Sequence, residues 1–244
     1  MRQCISLGNA HGLKEGQISA SDPDQNVEAG LAARVLFIDA GAIVIDKPAG
    51  LPVDPPRAGG ESIQSRLKEL RLGFRSSPTP MHRLDRDTSG CLLFARNARA
   101  RAVLQRAFEA RQVEKYYLAV IAGEVGQDEG AIDLPLAKRS SAEAGWRMVA
   151  DPQGQEAVTR WRRIAVRDGA SLVEFRPVTG RTHQIRVHAR EAFGRGIVGD
   201  RVYGVPGGEM LLHASRLVVP RQGMATVDVK ALLPERFGEW RDAA

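Results

Sequence analysis

Cysteine is almost missing from this chain. Cys4 and Cys91 are the only two, too few for a disulfide framework or, by themselves, for a zinc site, and they fit a reducing compartment. Long apolar runs are missing as well. The longest, Val35 to Ile45, is broken by Asp39 and Gly41 and falls short of the roughly 20 residues a spanning helix needs. The first thirty residues scatter Gly, Ser, Asp and Glu and lack the apolar stretch of a secretory signal. No internal repeat, heptad or low-complexity tract is present, and strand and helix signals do not alternate as regular βαβ units. The expectation is a soluble, cytoplasmic α+β protein without a membrane span.

What is present is enough for a core. The 244 residues suit one large domain or two small ones, and 43 % of them are apolar, which argues against global disorder. Lys plus Arg number 35 against 29 Asp plus Glu, a net charge of +6. That balance favours a polyanionic partner such as nucleic acid, although a merely basic soluble protein would carry it too.

Patterning predicts a hairpin of Val35–Ile38 and Ala42–Ile45 around Asp39-Ala40-Gly41. A proline-broken segment follows, Asp46 to Val53, which can be neither helix nor central strand. Ile63, Leu67 and Leu70 have amphipathic-helix spacing. Cys91–Ala95 reads as a strand, and Asn97 as the N-cap of a helix whose apolar positions are Val103, Leu104, Ala107 and Phe108. Tyr116–Ile121 reads as a strand, and residues 123–156 as an excursion with short strands. Two strands flank Asp168-Gly169, a helix runs from Thr182 to about Ala192, and short strands close the chain.

Three clusters can carry chemistry. The densest is His82-Arg83-Leu84-Asp85-Arg86-Asp87-Thr88-Ser89-Gly90, a charged loop beside an apolar strand. It is either a site or a solvated turn whose Asp and Arg pair with one another. A carboxylate there can serve as nucleophile, general base or metal ligand. Arg83 and Arg86 flank Asp85, compete with a metal and keep the carboxylate ionised, which suits a nucleophile. The second cluster is Arg176 to His188. With a helix from Thr182, His183, Arg186 and Arg190 share one face, an anion binder or a solvated basic surface. The spacing of His183 and His188 and the missing Glu rule out H-E-x-x-H. In the third, Lys115-Tyr116-Tyr117, adjacent strand tyrosines point to opposite faces, so one can be core and the other can enter a cleft. The preceding helix carries Arg99, Arg101 and Arg106, which could track a phosphate backbone.

Together these segments resemble the RluA-type pseudouridine synthases. The family's H-R-L-D-x-D-T-S-G motif stands intact at His82–Gly90, and G-R-[TS]-H-Q-[IL]-R-V-H at Gly180–His188. Lys115–Ala119, Asp46–Leu51, Ile197–Gly204 and Leu211–Ala214 match its other segments in family order. Residues 1–34 are too short and too polar for the S4-like domain many relatives carry.

The resemblance implies an isomerase converting uridine in RNA to pseudouridine with no cofactor and no metal. It implies a bent, mixed, mainly antiparallel sheet with flanking helices and a central basic cleft. The catalytic domain would span residues 35–237, between a weakly ordered extension (1–34) and a C-terminal tail (238–244). Its catalytic aspartate maps onto Asp85, its tyrosine onto Tyr117 and its arginine onto Arg186, which can pair with Asp85 and keep it charged and aimed. Further substrate contacts would come from His82, Arg83, Thr88, Arg181, His183, Gln184 and His188, with Arg99, Arg101 and Arg106 as outer RNA contacts. The substrate would be stem-loops of rRNA, tRNA or both, bound by a monomer. Two other readings compete: a metal-dependent nuclease using Asp85, Asp87 and the histidines, and a non-catalytic RNA-binding module.

Overall fold

A computed structural model describes residues 30–141 and 145–244. In chain order the strands begin with β1 (Val35–Ile38), β2 (Ala42–Lys47), β3 (Thr79–Pro80) and β4 (Ser89–Ala95), followed by helix α1 (Ala98–Glu109). Then come β5 (Glu114–Ile121), β6 (Glu129–Asp133), β7 (Leu136–Ser141), β8 (Gly145–Ala150), β9 (Val158–Arg167) and β10 (Ala170–Pro177). Helix α2 (Gln184–Phe193), β11 (Leu212–Val219) and β12 (Val227–Lys230) complete the set.

Ten of these strands form one sheet in the order β1-β2-β4-β11-β5-β10-β9-β6, with β12 beside β11 and β3 beside β4. Among the described strands only β4 and β11 pair in parallel, so the sheet is mixed and mainly antiparallel, as expected. That parallel pair matters for the charged loop before β4. Gly90 lies opposite Ala214 at φ +106°, and a Cβ there would sit 2.3 Å from the Ala214 carbonyl oxygen. Only glycine lets the two backbones meet so closely, and the meeting fixes where the loop ends.

The core follows the two-residue period of strands. Ile43, Ile45, Leu92 and Phe94 pack on one face with Leu31, Ile63 and Leu70. Ala42, Val44, Leu93 and Ala95 pack on the other beneath Leu104 and Ala107 of α1. The Asn97 side chain accepts the Ala100 N–H at 2.9 Å, capping α1 as its sequence position suggests. Asp168 and Gly169 both have positive φ, the backbone a tight two-residue hairpin requires.

Several boundaries differ from the sequence reading. Residues 1–29 of the polar extension lie outside the described residues, but Leu31–Arg34 form a 3-10 turn with Leu31 buried, its N–H donating to Glu69 Oε2. The folded unit therefore starts before Val35. The expected amphipathic helix around Leu67 is a 3-10 segment, Gln64–Leu70, seven residues long and without a side-chain cap. The C-terminal tail is not a tail: Glu235–Ala243 winds as 3-10 turns kinked at Gly238, and Trp240 is buried with Phe237 among Leu118, Val120 and Leu172. An apolar residue every few positions was too sparse a signal to separate such turns from loop. Among the described residues, no helix is long and apolar enough to cross a membrane.

Candidate active site

Asp85 sits in the loop between β3 and β4, and the loop is tied down at several points. Met81 N–H donates to Leu93 O, and Leu93 N–H donates to Nε2 of His82, so the imidazole takes a backbone acceptor's place beside β4. Burial, with the nearby Lys115 charge, pushes the His82 pKa down to about 3, which leaves the ring neutral and able to accept. Lys47 at the end of β2 is fully buried and donates to the carbonyls of Pro48, Leu51 and Arg86. It clamps the proline-broken segment to the Asp85 loop. Burial pulls its pKa down to about 7 against the charges of Asp87 and Asp85.

Opposite the loop, α2 supplies Arg186, whose Nη1 lies 3.1 Å from Asp85 Oδ2. Its Nε and Nη2 go to the two oxygens of Asp200, at 2.7 and 2.8 Å. Asp200 is fully buried and also accepts the N–H groups of Val202 and Tyr203. Burial works against both charges, but the paired hydrogen bonds outweigh it: the Arg186 pKa rises and the Asp200 pKa falls. The guanidinium is thus locked by one carboxylate and presents its remaining edge to the other.

Tyr117 of β5 lines the same cavity of about 270 Å³ with Asp85, His82, Thr88, His183 and Arg186. Burial, and then the Asp85 charge, push its pKa up, so the phenol stays protonated. Tyr116 faces the other side of the sheet, with the Arg176 and Arg216 guanidinium groups 4.6 and 5.3 Å from its ring centroid. The alternation along β5 therefore selects Tyr117 as the cavity tyrosine.

The profile of the RNA pseudouridylate synthase family matches residues 41–191. An RNA pseudouridine synthase of Zymomonas mobilis is 51 % identical over 211 residues, 85 % of this chain and 96 % of that protein. The chain belongs to the RNA pseudouridylate synthase family. The dual-specificity RNA pseudouridine synthase RluA of Yersinia pestis is 34 % identical over 203 residues, 79 % of this chain and 94 % of that one. Among solved structures, human RNA pseudouridylate synthase domain containing 4 matches with a TM-score of 0.72 at 26 % identity, covering 85 % of this chain and 91 % of that one. As a member of the family, the protein is an isomerase acting on RNA.

Within this synthase, several residues singled out from sequence stand elsewhere than expected. Neither arginine beside Asp85 pairs with it: Arg83 bridges to Asp54 at 2.9 Å and Arg86 to Asp87 at 2.9 Å, both exposed. The cation on Asp85 is Arg186, the pairing expected of these two residues. Gln184 lines the cavity, but its amide is spent on the fold. Its Oε1 accepts from Thr179 Oγ1 and Arg181 N, and its Nε2 donates to Val158 O and Thr159 Oγ1. His188 is fully buried between Thr159 Oγ1 and Leu134 O and is not part of the cavity wall. His188 is thereby corrected to an internal brace of α2 against β9, whereas Gln184 braces α2 and also stands in the cavity wall.

His183 is not on the face of α2 at all. It precedes the helix in the left-handed region at φ 55°, while Arg190 lies exposed and donates to Gly194 O. This conformation turns the His183 ring into the cavity, with Nε2 3.8 Å from Asp85 Oδ2 and Nδ1 2.9 Å from the Tyr203 hydroxyl. Thr88 and Arg181 line the cavity, and Arg181 Nε also donates to Glu156 O. Arg99, Arg101 and Arg106 are exposed on α1, outside the cavity, although Phe108 of the same helix lines it.

Lys47, Lys115, Asp200 and Tyr203 were not picked out as site residues. Each stands in a motif segment already quoted, but a segment match assigns no partner. Among the described residues, no group of three or more His, Cys, Asp or Glu is placed to hold a metal.

Proposed function

We propose that this enzyme isomerises uridines in stem-loops of rRNA or tRNA, with Asp85 as the nucleophile acting on a flipped-out base. The supporting observation is the division of labour on the Asp85 carboxylate. Oδ2 faces Arg186 and His183, whereas Oδ1 has no partner among the described residues. One oxygen is held and the other is open to the cavity, the arrangement an oriented nucleophile needs.

The isomerisation itself balances without a co-reactant. The N1–C1′ bond of uridine breaks, C5 bonds to C1′, the C5 proton leaves and N1 gains one. An attack by Oδ1 on the sugar carbon or on the pyrimidine ring uses the same geometry. The neutral phenol of Tyr117 offers a flat face for uracil and a hydroxyl donor. The Asp85 side chain is only 20 % exposed, so a base inside a duplex cannot reach it and has to leave its stack. A relative of similar length bears the name of a dual-specificity enzyme, which supports more than one class of RNA here.

Tritium release from RNA labelled at uridine C5 tests the assignment. Asp85→Ala and Asp85→Asn are expected to release none while binding RNA within a few-fold of wild type. Substantial release by Asp85→Ala would overturn the nucleophile. Carbodiimide-adduct primer extension, comparing a deletion strain with wild type, identifies the modified uridines; sites found only outside rRNA and tRNA would overturn the substrate class.

A further inference from the structure

The hairpin β7–β8 forms its own two-stranded sheet outside the main one and holds the most conspicuous aromatic in the molecule. Trp146 is 48 % exposed, whereas Trp161 and Trp240 are buried at 6 % and 8 %. Leaving an indole in water forgoes the stabilisation its burial would give. The position is not a loose one. Its ring lies nearly parallel to His183, at 20° and 5.2 Å between centroids, and His183 Nε2 is 3.8 Å from Asp85 Oδ2. Two residues further along β8, Met148 N–H donates to the Tyr203 hydroxyl, which also bonds His183 Nδ1. The indole is therefore stacked on a ring of the cavity wall, one ring away from the carboxylate.

The charges around it match a nucleic acid. The Lys138 ammonium lies 4.9 Å from the Trp146 ring centroid, and Arg147 is exposed next to it in sequence. Arg139 stands opposite Arg147 in the hairpin register and pairs with Asp151. An exposed aromatic interleaved with cations is the composition that binds single-stranded RNA, because every base offers a flat face and every phosphate a charge. An ammonium resting on an exposed ring is weakly held and can move onto a phosphate when a base takes its place.

We propose that Trp146 is a stacking platform for an unpaired nucleobase adjoining the uridine delivered to Asp85, with Lys138 and Arg147 on the neighbouring phosphates. The inference rests on RNA being the substrate. It adds a second subsite, which selects for an unpaired neighbour and not for an isolated flipped base.

The test uses the full chain and its Trp146→Ala and Trp146→Phe variants. Total RNA from a deletion strain, labelled at uridine C5, serves as substrate, and a short oligouridylate and a blunt RNA duplex serve as binding probes. Oligouridylate is expected to quench tryptophan emission of the wild type but not of Trp146→Phe, and the duplex is expected to quench neither. Trp146→Ala is expected to raise the half-saturating RNA concentration by roughly 5- to 150-fold, the range for one base–aromatic stack. The loss at saturating RNA is expected to be much smaller, and Trp146→Phe should fall between. Equal half-saturation and equal quenching in all three proteins would overturn the platform. A fall in the saturated rate with unchanged half-saturation would also overturn it, making the indole a support for His183 instead. A wild type that releases no tritium would refute the RNA reading itself, a result distinct from either of these.

Discussion

Two tyrosines, adjacent on one strand, show how differently the two faces of this sheet are used. Tyr117 points into the cavity, where burial and the Asp85 charge keep its hydroxyl protonated. Tyr116 points to the opposite face, between two guanidinium groups, with its hydroxyl donating to Glu114. The arginines divide in the same way. Arg186 is buried and held by two carboxylates, while Arg99, Arg101 and Arg106 stand in water on α1. Residue type therefore says little about role here. What distinguishes the two populations is desolvation, which makes each charge or hydroxyl depend on one specific partner.

The sharpest break in that comparison comes from the buried pair. Arg186→Ala leaves Asp200 charged, buried and without its main partner, a change expected to cost about 3–5 kcal/mol of stability. It also removes the cation from Asp85, so tritium release is expected to vanish even at temperatures where the variant stays folded. Asp200→Asn separates the two effects. It keeps the side-chain shape but loses the charge that locks the guanidinium, and turnover should fall strongly while the fold survives. Its acid behaviour is diagnostic. Because the folded pKa of Asp200 lies below the unfolded value of about 3.9, its charge stabilises the fold above that pH. That stability is lost as pH falls through the lower, folded value. Denaturant midpoints between neutral pH and pH 3 should therefore fall less steeply in Asp200→Asn than in the wild type, and identical slopes would mean that the pair does not carry this linkage.

The tyrosines give the next effect in size. Tyr117→Phe keeps the ring but removes the hydroxyl, and strongly reduced turnover with near-normal RNA binding is expected. Tyr116→Phe loses only a surface hydrogen bond to Glu114 and should stay close to wild type in both. Parallel single-turnover assays measure this directly; a crippled Tyr116→Phe beside an active Tyr117→Phe would reverse the assignment of faces.

Strands with unbroken β-branched runs, the Asn97 cap and the Asp168-Gly169 turn were all legible, because each rests on local backbone preference. That Tyr117 and not Tyr116 enters the cavity was legible too, once the K-x-Y segment was matched and the strand's alternation considered. Of the partners, the pairing of Arg186 with Asp85 was legible from the family match and stands in the structure; the others were not. Sequence adjacency put Arg83 and Arg86 beside Asp85, yet both reach outward to Asp54 and Asp87. Neighbouring residues in a tight loop point apart, so the only cation paired with Asp85 among the described residues is Arg186 of α2. His188 lies in an intact motif and looks like a ligand contact, but a buried imidazole inside a helix packed on a sheet first has to satisfy its own donors and acceptors. His183 escaped the helical pattern through a left-handed backbone that no periodicity signals.

The smallest effects belong to the outer arginines, and they sharpen the contrast from the other side. Arg99, Arg101 and Arg106 are exposed on a helix whose Phe108 reaches the cavity, so an RNA strand leaving the cavity along α1 would pass near them. Each phosphate neutralised releases counterions, which lowers log K by about 0.7–0.9 per log unit of salt. Replacing these residues one at a time with Ala should weaken binding a few-fold at low salt and flatten the salt slope by up to that amount per residue. Chemistry at saturating RNA should be little affected, since none of them lines the cavity. Arg186→Lys is the control from the inner population. A lysine cannot hold Asp200 with two N–H groups and still reach Asp85, so its rate should collapse while the salt slope stays near that of the wild type. Titrations at several salt concentrations, paired with single-turnover rates, decide the matter. If all four variants showed the same slope and the same rate, the inner and outer arginines would be doing one job, and the division drawn from burial would fail.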